Sequence, residues 1–170
     1  MTEVFLQLDQ IEGESLDQFH LNQIEVDNWG WHDGGKRVSV INEADFKMTD
    51  PKDQKEINKK TEVGGIEITK AIDIASITLM RFCALGTHIE TGKLSLRKLA
   101  GDTQLDFFVI ELEDIKIHSV TWSEGEGANK KEKVTLQFAR FRAHYKQQTN
   151  AGDVSGVADF GFDIGKHEVW

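Results

Sequence analysis

The chain has 170 residues, 39% hydrophobic and 29% charged, enough for one domain with its own core and too few for two. A net charge of −9 sets the surface as a whole against nucleic acid and anionic lipid. The lone cysteine, Cys83, excludes an internal disulfide and points to synthesis in a reducing compartment.

The opening stretch, Met1 to Asp9, lacks the basic segment and apolar run of a signal peptide. No apolar run is long enough to cross a membrane as a helix, so membrane insertion is not expected. Val4, Leu6 and Leu8 alternate with polar neighbours, the period-two pattern of a half-buried strand. Ile24 and Val26 lead into Trp29 and Trp31, two apart and therefore on one strand face. The segment 42–65 holds the single proline, Pro51, and a charged run with Lys52, Asp53, Lys55, Lys59 and Lys60. Its weak periodicity predicts an extended charged arm or loop.

Ile66, Ile68 and Ile72 resume the alternation. A helix is expected over Ile74–Leu85, with Ser76 as its cap, Gly86 as its stop, and Ile77, Met80, Cys83 and Ala84 as its apolar face. Leu94 and Leu96 mark another strand. The two longest strand patterns, 104–122 and 132–145, each change phase partway, and Glu113-Asp114 and Ala139-Arg140 are the expected bulge positions. Apolar residues of both phases at Phe107, Phe108, Val109 and Ile110 predict cover on both faces of that strand. Ser123 to Lys131 reads as a polar hairpin connection, and Phe160, Phe162 and Ile164 as a final docked strand in which Gly161 permits a close approach.

Together these patterns predict a mainly β fold: a small antiparallel β-barrel of two curled sheets with one α-helix packed on its side, all in a single domain, 1–170. No catalytic, cofactor or metal site emerges. The six histidines have no local ligand spacing, though His118 and His144 would face one another if their strands paired in the right register. Glu111 with Glu113, and Arg140 with Arg142, share strand faces and are read as charge complementarity between strands or subunits rather than an acid/base pair. Cys83 is read as a buried structural thiol.

The order of the pieces resembles the haemolysin-coregulated protein family, the tube subunits of type VI secretion systems. The matching stretches are Phe5-Leu6-Gln7-Leu8 with Gly13-Glu14-Ser15, and His20 with Ile24-Glu25-Val26 and Trp29-Gly30-Trp31. They continue through Ile66 to Asp73 and the helix to Lys93–Lys98, then Phe108 to Val120, and finally Glu132 to Tyr145 with the tail Phe160–Ile164. Ser76-Ile77 departs from the family's frequent Ser-Pro at the helix start.

The resemblance implies a structural subunit rather than an enzyme: a homo-hexameric ring that stacks into a tube inside a contractile sheath. Such a tube is exported from the bacterial cytoplasm with a spike, without a signal peptide, and carries effector proteins in its lumen. Phe108 and Ile110 are then the expected subunit-interface residues, and Lys52, Asp53 and Lys55 those of an arm that reaches a neighbouring ring. The alternatives are a phage-type tail-tube protein and a monomeric small-ligand-binding β-barrel with an enclosed apolar pocket.

Overall fold

A computed structural model describes residues 2–32, 41–44, 60–100, 103–123, 130–151 and 153–170. Strands β1 (Thr2–Leu8), β2 (Ile24–Val26) and β3 (Asn28–His32) are followed by β4 (Ile41–Ala44), β5 (Lys60–Val63) and β6 (Gly65–Ala71). Helix α1 (Ile74–Leu85) then leads to β7 (Ile89–Ala100), β8 (Thr103–Trp122), β9 (Lys131–Gln148), β10 (Val154–Asp163) and β11 (Glu168–Val169). The mainly β class and the single helix among the described residues match the expectation.

The main sheet is antiparallel, in the order β11-β10-β9-β8-β7-β1-β2, and the first half of β9 also pairs with β6, which pairs with β3. β1 joins β7 over its whole length, Thr2 opposite Lys98 and Leu8 opposite Gly92. One continuous path therefore begins on β3 and ends on β2, two strands separated in the chain by Asp27 alone. The described ladders do not close into a hydrogen-bonded barrel. Chain continuity and the bond from Asp27 N–H to the Thr69 carbonyl (2.8 Å) hold the two edges together instead.

The expected strand patterns explain the core. Leu6, Leu8, Ile24, Ile66, Ile68, Leu94, Ile110, Leu112, Ile115, Ile117, Val134 and Leu136 all face inward and are buried. Each such burial contributes about 1.5–3 kcal/mol of transfer free energy. The inward set of β8 moves from Leu112 to Ile115 across Asp114, whose φ of 52° is left-handed. That of β9 changes at the same level, between Phe138 and Phe141. A further irregularity at Ile117/Ser119 turns β8 again. The bends are thus where the sequence phase changes.

Two expectations about side chains fail. The alternation of Ile66 and Ile68 continues inward to Lys70, which is fully buried, while Ile72 lies past the strand and is exposed. In α1 the buried face is Ala75, Ser76, Leu79 and Phe82. Ile77 and Met80, from the expected inner face, are exposed, and Cys83 is half-buried with its Sγ 3.8 Å from the His118 carbonyl. The cap is Asp73, whose carboxylate accepts from Ala75 N–H, with Ser76 completing a reciprocal box. Gly86 ends the helix at φ 63°, as expected.

The base of the expected arm is an ordered ladder, Ile41 opposite Val63 and Ala44 opposite Lys60. Most of the arm, with Lys52, Asp53, Lys55 and Pro51, lies outside the described residues.

Candidate assembly surfaces

The expected interface residues of β8 part company. Ile110 sits opposite Leu94 and Ala143 and is completely buried in the chain's own core, so it has no surface to offer a neighbour. Phe108 is half-buried, 6.2 Å from the Trp29 ring, and lines a cavity of about 380 Å³.

Four strands build that cavity. Trp29, Gly30 and Trp31 come from β3, Phe108 from β8, Phe141 and Ala143 from β9, and Phe160 from β10. β9 pairs with β6 along its first half and with β10 along its second, and the aromatic rings fill the corner where those partners diverge. Trp31 is fixed by its indole N–H, which donates to the Gly64 carbonyl at 2.7 Å, and it meets Phe141 edge to face at 5.0 Å. Among the described residues no charged side chain lines the cavity.

A second feature is convex. The loop from Gly13 to Asn22 is pinned by Gly13 N–H to Asn22 O (2.8 Å), Asn22 N–H to Ser15 O (2.8 Å) and Ser15 N–H to Gln23 O (3.0 Å). His20 is buried in it, stacked 4.3 Å from the Phe5 ring, with its Nε2 3.0 Å from Asp106. Arg97, also buried, lies over Phe5 and pairs with Asp17 at 2.8 Å and with Glu3. The hydrogen bond from Arg97 holds the Asp17 carboxyl down from 3.8 to about 2, aided by the Phe19 and His20 backbone N–H groups. On this rigid base Leu16 (87% exposed), Phe19 (67%) and Leu21 (59%) stand in solvent.

Glu14 accepts from Ile74 N–H at 3.1 Å, which joins the loop to the start of α1. Beside it, Ile72, Ile74, Ile77, Met80 and Leu85 extend the exposed apolar surface. The sequence pattern did not single out Leu16, Phe19 and Leu21. Their signal was there, as three large apolar residues within a polar turn between Gly13 and Asn22.

The outer face of β8–β10 carries charge in register. Glu113 opposes Arg140 and Glu111 opposes Arg142. Arg140 pairs with Glu113, Arg142 donates to Asp159 (2.9 Å), and His144 lies between Glu111 (3.2 Å) and Asp159 (2.8 Å). Trp170 stacks against both Arg140 and Arg142, and its carbonyl accepts from Arg142. Cross-strand complementarity therefore accounts for both carboxylates. His118 and His144 do not face each other. The irregularity at His118 takes it out of register, and His144 sits opposite Val109. Among the described residues no three His, Cys, Asp or Glu side chains are grouped to hold a metal ion.

The family model described as "Type VI secretion system effector, Hcp" matches residues 5–145. Protein hcp1 of Pseudomonas aeruginosa is 27% identical over 164 residues, covering 95% of this chain and 94% of that protein. The crystal structure of Hcp1 from Salmonella typhimurium superposes with a TM-score of 0.77 at 26% identity, covering 99% of both chains. That of a type VI secretion system effector from Yersinia pestis gives 0.71 at 25% identity, over 95% of this chain and 99% of the other.

Proposed function

This chain belongs to the Hcp family of type VI secretion system effectors, and on that premise we propose that it is a structural subunit of the secretion system's inner tube. In this role the whole chain, 1–170, is one β domain that assembles as stacked homo-hexameric rings. Sheath subunits surround the tube, a spike caps it, and effector proteins travel in its lumen. It is made in the bacterial cytoplasm and exported to the extracellular space or a target cell, and it does no chemistry of its own.

The observation that carries the assembly is the two-sided helix. α1 buries Ala75, Leu79 and Phe82 against the core and turns Ile74, Ile77, Met80 and Leu85 outward. Large apolar side chains on the outer as well as the inner face of a surface helix favour a cover for that outer face. With the exposed loop beside it, this surface marks a contact with another protein. For the charged arm, the supporting feature is the β4–β5 ladder, a two-stranded sheet separate from the main one that brackets the segment carrying these residues. Contact of Lys52, Asp53 and Lys55 with a neighbouring ring belongs to the same proposal.

A monomeric ligand-binding barrel fits less well. Specific small-molecule sites combine apolar walls with a few placed polar groups that orient the ligand. Among the described residues, the cavity between β3 and β10 has no such polar side chain.

Native mass spectrometry and negative-stain imaging of the purified full chain test the proposal. A sixfold species seen as annular rings is expected. A monomer at every concentration, also in the presence of sheath and spike proteins, overturns it.

A further inference from the structure

We infer that the contact between neighbouring copies is a side chain-in-cavity joint. The Leu16–Leu21 knob of one copy seats in the aromatic cavity formed by Trp29, Trp31, Phe108, Phe141 and Phe160 of the next. This rests on the ring reading above and names the surfaces that would make it.

Rings formed by repeated rotation use heterologous contacts, in which two different patches of the same chain meet. The described surface offers one such pair, convex and concave, with matching chemistry. Among the described residues the cavity is lined mainly by aromatic rings and by no charged group, so it selects an apolar side chain rather than a polar ligand. Its volume of about 380 Å³ leaves room for a few apolar side chains.

The turn is built to protrude. Leu16 is the most exposed of the large apolar side chains among the described residues, while His20, Asp17 and Arg97 anchor the backbone beneath it. A loop already fixed in its docking shape loses little conformational entropy on binding. It cannot fill the cavity of its own chain. His20 ties it to Asp106 and Phe5 on the outer side of the β7–β8 pair, whereas Phe108 and Trp29 pack against the core on the other side. Charge agrees in sign. Glu12 and Glu14 flank the knob, and Lys98 lies over the Phe107 ring beside Phe108.

The test is site-directed cross-linking in the full chain with Cys83→Ser. Phe19→Cys in one copy is mixed with Ala143→Cys in another, and a chain carrying both is made in parallel. Under mild oxidation the mixed singles should form a covalent dimer, each single alone should not, and the double variant should form a ladder that ends at a closed ring. Phe19→Asp should weaken ring formation at least about tenfold while leaving the thermal melt of the subunit unchanged, because the side chain is exposed. Intact rings from Phe19→Asp, with no cross-link between the two introduced thiols in the mixed singles, overturn this joint and leave the tube reading standing. Absence of rings in the unmodified chain, also in the presence of sheath and spike proteins, removes both.

Discussion

The Lys70 ammonium lies 2.7 Å from an Asp73 carboxylate oxygen and 2.9 Å from Glu132 Oε1, with the lysine and Glu132 side chains fully buried. Lys70 also donates to the Ala71 carbonyl and the Ser76 hydroxyl, and the Trp122 indole N–H donates to Glu132 at 2.7 Å. One buried cation thus ties the N-terminus of α1 to β6 and β9, and through Glu132 to the end of β8.

Removing one member leaves the other charge stranded. Lys70→Met should cost about 3–5 kcal/mol in chemical denaturation, and the double variant Lys70→Met/Glu132→Leu should recover much of that loss. An unchanged midpoint for Lys70→Met would show that the network has no role in stability.

The two faces of α1 separate folding from assembly. Leu79→Ala, on the buried face, should destabilise the subunit by about 2–5 kcal/mol. Ile77→Lys, on the exposed face, should leave the subunit's melting curve in place and reduce the ring fraction in native mass spectra. A melting temperature that falls as far for Ile77→Lys as for Leu79→Ala would contradict the assignment of faces.

Gly13 is closed to any side chain. A Cβ there overlaps the Gln23 carbonyl and stands 2.7 Å from Ile24 Cα, both backbone atoms that cannot swing aside. Gly13→Val should destabilise the protein by about 1–3 kcal/mol and loosen the loop that carries Leu16 and Phe19. At Gly30 a Cβ meets only the His32 ring at 3.4 Å, so Gly30→Ala should melt close to the unmodified protein. Thermal denaturation of the pair decides the point.

Asp17 gives the loop a pH dependence of known sign. Its carboxyl titrates lower in the folded chain, about 2, than its ordinary 3.8. Its stabilisation is therefore complete above the ordinary value and is lost as pH falls through about 2. The stability difference between the unmodified protein and Asp17→Asn should be constant near neutrality and shrink over that acid window. A difference that instead grew on acidification would reverse the assignment.

Much of this architecture was legible in the residues. Alternation located the strands, and the phase changes near Asp114 and Ala139 located the bends, because a strand cannot change its inward set without one. The charge pairs of β8 and β9 were legible for the same reason, since residues two apart share a face. The orientation of α1 was not, because its large apolar residues are spread over more than one face and do not mark which one turns inward. Lys70 was invisible to alternation: a charge at an inward position looks like the end of the pattern until its partners, Asp73 and Glu132, are brought beside it. The cavity and the loop knob depend on where separate strands diverge, which no local period encodes.

The pairing of β1 with β7 has a consequence for how the protein is made. β1 pairs over its whole length with Gly92 to Lys98, whereas among the described residues between them β2 is the only strand that pairs with it, over Val4 to Leu6. Its full ladder therefore forms only when β7 is in place. Long-range pairing of this kind slows folding and leaves nascent strands prone to mispairing. Contacts this far apart in sequence raise the loop-closure cost of folding, so the subunit should fold more slowly than a protein built from neighbouring hairpins.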